Sequence, residues 1–168
     1  MTIVVQDAST LINLLWSGLL TVAAEALELR ILTTDLVAAE IREPRAEFEA
    51  AVRNQWVEVR DLSGDALLAL VEERQRATGL SIQDVSVVAL ARAEVCPLFS
   101  SDARVRAYAD KCDVIVYGEL WILDRLVDRG ALTPGEAAGK LQTMLRHAAR
   151  LPRKEVEIRM DRWNTETR

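Results

Sequence analysis

Short apolar runs alternate with amphipathic stretches along this chain. Residues 3–6 form a β-branched, mostly apolar run, which is typical of a central strand buried on both faces. Further short strands are predicted at residues 31–33, 56–59, 98–99 and 114–116. Because strands and helices alternate throughout, the pattern predicts a mainly parallel sheet with helices on both faces, a three-layer α/β/α sandwich.

Capping signals divide the rest of the sequence into helices. Asp7 suits the start of the first helix, Pro44 suits the first turn of another, and Gly79 is a typical helix stop. Ser81 and Asp84 have the spacing of a capping box. Helices are predicted at residues 7–16, 19–29, 35–41, 44–54, 63–79, 85–93, 102–111, 118–129 and 133–150. These elements predict one domain over residues 1–150.

Residues 151–168 are predicted to form a C-terminal helical tail. Val156, Met160 and Trp163 fall on one helical stripe, which we expect to dock on the tail's own domain. This stripe and the apolar segment 120–127 offer more apolar surface than a small domain easily covers. A homodimer is therefore also predicted.

The overall composition is that of a globular protein. Half of the 168 residues are hydrophobic and 28% are charged. The first apolar run is too short for a signal peptide, and no stretch approaches the ~18 apolar residues that span a bilayer. We therefore expect a cytoplasmic location and no membrane partner.

The net charge of −5 argues against an overall basic surface for nucleic acid. Binding of nucleic acid would then require basic side chains that are concentrated in one cleft. The candidates are Arg42, Arg45, Arg53, Arg104, Arg106 and Lys111. Any one of them is more commonly a solvated helix residue, so the sequence leaves their role open.

Four carboxylates occupy positions that the predicted topology brings toward one edge of the sheet. Asp7 and Asp102 follow strands, Asp84 opens a helix, and Glu40 lies on the helix after the second strand. Ligands bind at the carboxyl ends of strands in such sheets. Acids that gather there repel each other unless a cation separates them, and carboxylate oxygens suit a hard divalent ion. The pattern predicts metal-dependent phosphate chemistry.

Each acid also has a purely structural interpretation. Asp7 and Asp102 are suited to cap helices, and Asp84 fits the acidic position of the capping box. Glu40 fits a solvated helix face. Taken singly, each acid is better explained in this way, but the joint pattern favours a shared site.

Other chemistries have little support in the sequence. Cys96 and Cys112 form no close-spaced pair and are interpreted as small buried or half-buried thiols. The single histidine, His147, argues against a zinc site or a catalytic triad. No glycine-rich dinucleotide loop or P-loop follows the first strand. The segment Asp7-Ala8-Ser9 lacks the second aspartate of a dehalogenase-type phosphatase.

The four acids lie in segments with a characteristic order and spacing. These are Val4-Val5-Gln6-Asp7-Ala8-Ser9, Val37-Ala38-Ala39-Glu40-Ile41, Gly79-Leu80-Ser81-Ile82-Gln83-Asp84 and Leu98-Phe99-Ser100-Ser101-Asp102. Over nearly all of residues 1–150 the chain resembles the PIN-domain family of metal-dependent ribonucleases. The segment Tyr117-Gly118-Glu119-Leu120-Trp121-Ile122-Leu123 is similar to the one that follows the last strand of that family.

The resemblance implies that Asp7, Glu40, Asp84 and Asp102 form an acidic pocket for Mg²⁺ or Mn²⁺. It also implies a relationship to the toxins of bacterial toxin–antitoxin pairs, which are usually dimeric, so an antitoxin protein is an expected partner. The chain departs from relatives that carry a further acid just after the last aspartate, because residues 103–106 are Ala, Arg, Val and Arg. This departure argues against a second tightly held metal.

The resulting hypothesis is a ribonuclease that hydrolyses RNA phosphodiester bonds. Asp7, Asp84 and Asp102 are expected to hold the principal metal, directly or through water. Glu40 is expected to orient or deprotonate the attacking water. The alternative is a non-catalytic PIN-like module that binds protein or RNA through the same groove.

Two serines accompany the acids in the sequence. Ser9 lies two residues after Asp7, and Ser100 lies two residues before Asp102. Hydroxyl groups beside metal ligands commonly orient the carboxylates. We therefore expect Ser9 and Ser100 to position carboxylates or the substrate phosphate.

Overall fold

A five-stranded sheet, parallel throughout, forms the centre of the molecule in a computed structural model that describes residues 1–166. The strand order is β3-β2-β1-β4-β5. The strands are β1 Thr2–Gln6, β2 Leu29–Thr34, β3 Val57–Arg60, β4 Leu98–Phe99 and β5 Val116–Tyr117. The predicted three-layer α/β/α architecture is confirmed.

Helices connect the strands and continue beyond the last one. They are α1 Ala8–Trp16, α2 Leu20–Ala26, α3 Asp35–Glu40, α4 Arg45–Arg53, α5 Asp65–Arg76, α6 Ile82–Ala93, α7 Ala103–Lys111, α8 Glu119–Asp128, α9 Pro134–Arg146 and α10 Arg153–Glu166. Three begin where the sequence places a cap: Asp7 caps α1, Ser81 caps α6 and Asp102 caps α7. Thr133 caps α9.

The sheet is buried on both faces. Val4 and Val5 are consecutive residues of β1, so their side chains point to opposite faces, and both are buried. Ile31 and Leu32 of β2 behave in the same way. Because neither face meets water, the strands consist of continuous apolar runs rather than alternating ones.

The order of the strands creates a crevice beside β1. Val5 pairs with Leu32 on one side and with Leu98 on the other. The chain builds β1, β2 and β3 outward in one direction and then crosses over to add β4 and β5 on the opposite side. The carboxyl ends of β1 and β4 therefore flank a topological switch point, where such sheets bind ligands.

Several boundaries differ from the sequence-based predictions. The predicted helix at 19–29 ends at Ala26, because Glu28 adopts a φ of 53° and Leu29 already pairs with β1. The last strand begins at Val116 instead of residue 114. Val114 is still engaged by the preceding helix, since its N–H donates to Ala109 O at 2.9 Å.

Helix α9 also stops earlier than predicted, at Arg146 rather than residue 150. Ala148 adopts a φ of 62°, a left-handed conformation that ends a helix even without glycine. The N–H groups of Ala148 and Ala149 return to Leu145 O at 3.1 Å and Met144 O at 3.0 Å. These bonds close the helix and direct the chain toward α10.

Helix α10 docks on its own domain, as expected. Val156 and Trp163 are buried, and α10 packs against α9. Arg159 adds an ion pair to Asp124 of α8, with Nη2 2.7 Å from Oδ2. Because this stripe is buried within one chain, it is not available as a surface for a homodimer.

The second apolar segment in that argument, residues 120–127, is also covered within one chain. Leu120, Ile122, Leu123 and Leu126 are all buried in the core. The interpretation of these segments as surplus apolar surface was wrong, because α8 packs against α1, α2 and α9, and α10 packs against α9. Self-association stays a prediction.

Within residues 1–166, no single helix has the length and apolar character to cross a bilayer. Only α1 and α2 taken together meet both criteria in this part of the chain, and a bend of 99° separates them.

Replacing Trp163 should weaken the packing of α10 against the rest of the domain. The indole is fully buried, so Trp163→Ala should lower the free energy of unfolding by about 3–5 kcal/mol, as for other large-to-small core changes. Ile158 is 51% exposed on the same helix, so Ile158→Ala should change it by less than about 0.5 kcal/mol. Urea denaturation measures both, and equal effects would contradict the docking of α10.

Candidate active site

Asp7 lies where β1 ends and α1 begins. Its N–H donates to Phe99 O of β4 at 3.3 Å, which continues the pairing of β1 with β4 by one residue. Its carboxylate Oδ1 accepts from Thr10 N at 2.8 Å and caps α1. The side chain is only 5% exposed. The predicted capping role is confirmed, and it places the carboxylate at the edge of the switch-point crevice.

Burial raises the pKa of Asp7 to about 6, from an ordinary value of 3.8. Hydrogen bonds from Ser100 and Thr10 oppose this shift because they stabilise the carboxylate, while the nearby charge of Glu119 adds to it. Within residues 1–166, no cation lies among the groups that shift this pKa. The carboxylate is therefore electrostatically unfavourable in the metal-free protein near neutral pH.

Glu119 is a buried acid that the sequence reasoning missed. It begins α8 directly after β5 and is 0% exposed. Asn13 of α1 donates from Nδ2 to its Oε1 at 2.7 Å, and the hydroxyl of Ser101 donates to its Oε2. Both oxygens are thus held by side chains from other segments. This arrangement fixes Glu119 beside Asp7.

Gly118 permits the contact between Ser101 and Glu119. A Cβ atom at position 118 would lie 2.8 Å from the Oγ of Ser101, closer than such atoms approach in proteins. The backbone of Gly118 is extended, with a φ of −126°, so the restriction is one of space rather than of conformation. Any larger residue would displace the serine hydroxyl from the carboxylate.

A signal for Glu119 was present in the sequence. Asp7 and Asp102 follow strands, and Glu119 likewise follows the last strand, after a glycine. The same rule applied to β5 identifies it. Its position also supplies a fifth acid at this edge, although no acid occurs at residues 103–106.

Asp102 caps α7 in the way that the sequence predicts. Its Oδ1 accepts from Arg104 N at 2.7 Å and from Val105 N at 3.2 Å. Its own N–H donates to the Oγ of Ser100 at 3.2 Å. Ser100 is buried and also hydrogen bonds to Asp7. Ser100 thus links the two strand-end aspartates through hydrogen bonds. Its role in positioning carboxylates for a metal stays a prediction.

Glu40 and Asp84 form a second pair of acids, at the end of α3 and the start of α6. Asp84 completes the predicted capping box: Ser81 N donates to its Oδ2 at 2.9 Å, and its N–H donates to Ser81 Oγ at 3.1 Å. Partial burial raises the pKa of Glu40, and the charge of Asp84 raises it further. The two carboxylates are therefore electrostatic neighbours.

The four predicted acids do not form one compact cluster. Within residues 1–166, no three side chains of Asp, Glu, His or Cys come close enough to share a metal ion. Asp7, Asp84 and Asp102 each bond to backbone N–H groups at the start of a helix. This structural role keeps them at separate helix ends. Their assignment as joint metal ligands stays a prediction.

A cavity of about 260 Å³ opens beside the strand-end acids. Asp102 and Glu119 line one part of it, together with Ser101 and Asn13. Ser9 also lines the cavity, and its predicted role stays a prediction. The remaining lining residues are Ile12, His147, Ala148, Ala149 and Arg150.

Within residues 1–166, three of the six basic residues proposed from the sequence make side-chain contacts in the fold. Arg45 pairs with Glu49 at 2.8 Å and donates to Ala38 O at 2.8 Å. Arg106 donates to Ser100 O at 3.1 Å. Arg104 lies 3.9 Å from Asp102. Of these, Arg104 and Arg106 are close to the acids.

The donor set suits a divalent cation. The groups at the edge are carboxylates, hydroxyls and one amide, all of which offer oxygen, the ligand that Mg²⁺ and Mn²⁺ prefer. Burial is the main cause of the raised pKa of Asp7, and the nearby charge of Glu119 adds to it. A cation held by these oxygens would stabilise the buried carboxylate, so the residues fit such an ion.

The raised pKa of Asp7 predicts a specific dependence of stability on pH without metal. Protonated Asp7 favours the folded state; this contribution is complete below pH 3.8 and is lost as the pH rises through about 6. The difference of about 2 pKa units corresponds to about 3 kcal/mol. Asparagine is also a good helix cap and does not ionise. The Asp7→Asn variant should therefore not lose stability in this way as the pH rises.

Denaturation of the wild type and of Asp7→Asn in EDTA, between pH 4 and pH 7.5, measures this contribution. The variant should gain stability over the wild type as the pH rises. If the free energy of unfolding changed with pH in the same way in both proteins, burial of the ionised Asp7 carboxylate would not be unfavourable.

Adding a methyl group at Gly118 should weaken the site. Gly118→Ala forces the Ser101 hydroxyl away from Glu119, and the loss of that hydrogen bond should cost about 1–3 kcal/mol. Gly139 lies inside α9 with no atom within 4 Å of an added Cβ, so Gly139→Ala should stabilise the protein by up to about 1 kcal/mol. The melting temperature should therefore fall in Gly118→Ala and rise in Gly139→Ala. A rise in both variants would argue against the steric role of Gly118.

Comparison with curated proteins found no match. Among solved structures, the chain is similar to a PilT N-terminus domain protein from the hyperthermophilic archaeon Sulfolobus solfataricus P2. The TM-score is 0.52 and the identity 14%, over 76% of this chain and 93% of that chain, which supports the fold. A family model described as a PIN domain (DUF3368) matches residues 3–165. Because that match spans nearly the whole sequence, this chain belongs to the PIN-domain family.

Proposed function

We propose that this chain is a metal-dependent endoribonuclease that hydrolyses RNA phosphodiester bonds. PIN domains are generally nucleases. The observation that carries the proposal is the buried Asp7 carboxylate, with Glu119 beside it, at the switch-point edge of the sheet. Burying an acid without a cation is unfavourable, and such perturbed groups are typical of functional sites.

The residues of the site have distinct roles in this proposal. Asp7, Asp84 and Asp102 would hold Mg²⁺ or Mn²⁺, which when bound neutralises phosphate charge and lowers the pKa of water. Glu40 would orient the attacking water and accept its proton. The raised pKa of Glu40 favours this role, because a base with a higher pKa takes up a proton more readily.

Neutral hydrogen-bond donors keep the strand-end acids in position. Ser100 bonds to Asp7 and accepts from the N–H of Asp102, so it holds both aspartates in a fixed relation. Asn13 and Ser101 do the same for Glu119. Ser9 lines the adjoining cavity, where its hydroxyl would meet a substrate phosphate. Such partners preserve the geometry on which metal affinity depends.

The second candidate function is a non-catalytic module that binds protein or RNA through the same edge. It is favoured by the capping bonds that already occupy Asp7, Asp84 and Asp102. Calorimetric titration with Mn²⁺ separates the two candidates. A nuclease should bind the ion and lose that binding in Asp7→Asn, whereas a scaffold need not bind it at all.

A role as the toxin of a toxin–antitoxin pair is a further part of the proposal, and it rests on the family resemblance. It implies growth arrest when the chain is produced alone and rescue by a co-expressed antitoxin. Arrest should disappear in Asp7→Asn. A cytoplasmic location and a homodimer belong to the same proposal.

Cleavage of RNA should depend on Mg²⁺ or Mn²⁺ and on the predicted acids. Asp7→Asn, Glu40→Gln, Asp84→Asn and Asp102→Asn should each reduce the rate about 100-fold or more, since each removes a charge from the site. Gel analysis of a labelled RNA with and without EDTA measures this. Asp110→Asn, an exposed acid on α7, serves as the matched control and should retain full activity.

Undiminished cleavage in Asp7→Asn or Asp102→Asn would reject the proposal. Circular dichroism of each variant establishes that a loss of activity is not a loss of fold.

A further inference from the structure

We infer that the connector between α9 and α10, defined here as residues 147–150, forms the wall of the cavity that recognises single-stranded RNA. Arg150 would contact a phosphate, and His147, stacked on Trp16, would support a base. The inference rests on the proposed function, because it assigns the substrate-binding side of the same site.

The connector has a defined path beside the acids. Ala148 is left-handed, and the bonds of Ala148 and Ala149 to the end of α9 fix the turn. His147 and Arg150 therefore flank a closed turn rather than an open loop. Both line the 260 Å³ cavity that Asp102 and Glu119 also line. The cavity thus has acids on one part of its wall and basic or aromatic groups on another.

Arg150 is an arginine with no partner among the residues that the structure describes. Its guanidinium makes no ion pair or hydrogen bond within residues 1–166, although two acids line the same cavity. Arg106 differs, because it is engaged by Ser100 O. An exposed guanidinium offers paired N–H donors that match two phosphate oxygens. Arg150 is therefore available to an anion that enters the cavity.

His147 presents an aromatic surface at the same cavity. Its ring stacks on Trp16, with centroids 4.3 Å apart and an angle of 6° between the planes. Trp16 is 36% exposed, and His147 is exposed as well. Stacking on the indole holds the imidazole in one orientation, so it forms a fixed platform. Such platforms bind unpaired bases through their π-faces.

These features favour a single strand over a duplex. In a duplex the bases are stacked on each other, so none is free to lie on an aromatic ring. The net charge of −5 argues against broad attraction of a polyanion, and recognition must then come from a few local contacts. One phosphate contact and one base contact, beside the acids, meet that requirement.

The test is the binding of a fluorescently labelled single-stranded RNA oligonucleotide to the full chain in EDTA, measured by anisotropy. EDTA prevents metal-dependent cleavage, so only binding is observed. Arg150→Ala should weaken RNA binding about 10-fold. It should also make the dependence of the binding constant on salt concentration less steep, by the amount expected for the loss of about one phosphate contact. Arg153→Ala is the matched control, because Arg153 is exposed and pairs with Glu157; it should change binding less than about 2-fold.

The His147 contact is tested by two substitutions. His147→Ala should weaken binding about 10-fold, whereas His147→Phe should restore it to within about 3-fold of the wild type, because the aromatic face remains. A merely structural histidine would not show this rescue. Equal melting temperatures of the variants establish that the fold is intact.

Several results would overturn the inference. These are equal effects of Arg150→Ala and Arg153→Ala, binding of duplex RNA as tight as that of the single strand, or no RNA binding by the wild type. The proposed nuclease activity fails separately, if Asp7→Asn still cleaves RNA or Mn²⁺ does not bind. Arg150→Ala should bind Mn²⁺ as the wild type does, so the two failures are distinguishable.

Discussion

The parallel pairing of β1 with both β2 and β4 is the constraint on which the rest of the structure depends. It places the carboxyl end of β1 at the switch point and extends through the bond from Asp7 N to Phe99 O. The acid that follows β1 must then either cap α1 or face the crevice. Asp7 does both, because one carboxylate oxygen holds the helix while the group as a whole lies beside Glu119.

Stability and function oppose each other at this point. A protonated Asp7 is favoured by its surroundings, yet a metal ligand must be ionised. The fold tolerates the ionised form because Ser100 and Thr10 donate hydrogen bonds to it. Gly118 contributes in a different way, by leaving room for the serine that holds Glu119. Asp7 and Glu119 are thus held in place by neutral donors. Ion pairs to these acids would instead compete with a bound cation.

Features set by neighbouring residues could be predicted from the sequence, and features set by distant ones could not. Each helix cap depends on three or four consecutive residues, so it can be predicted from the sequence. This holds for Asp7, for Asp102 and for the Ser81–Asp84 capping box. The partner that orients Glu119 is Asn13, 106 residues away. The end of α9 depends on Ala148 adopting a left-handed conformation, for which alanine gives no signal. The separation of the acids into pairs likewise depends on how helices α3 and α6 pack.

The docking of α10 has a consequence for when the site becomes complete during synthesis. Helices α9 and α10 bracket the turn at residues 147–150, and the Arg159–Asp124 ion pair ties α10 to α8. The sheet and every strand-end acid precede this turn in the chain, so they are synthesised before it. One side of the cavity remains open until the segment beyond residue 150 has emerged and packed. A nascent chain therefore carries its acids before it carries the surface that borders them.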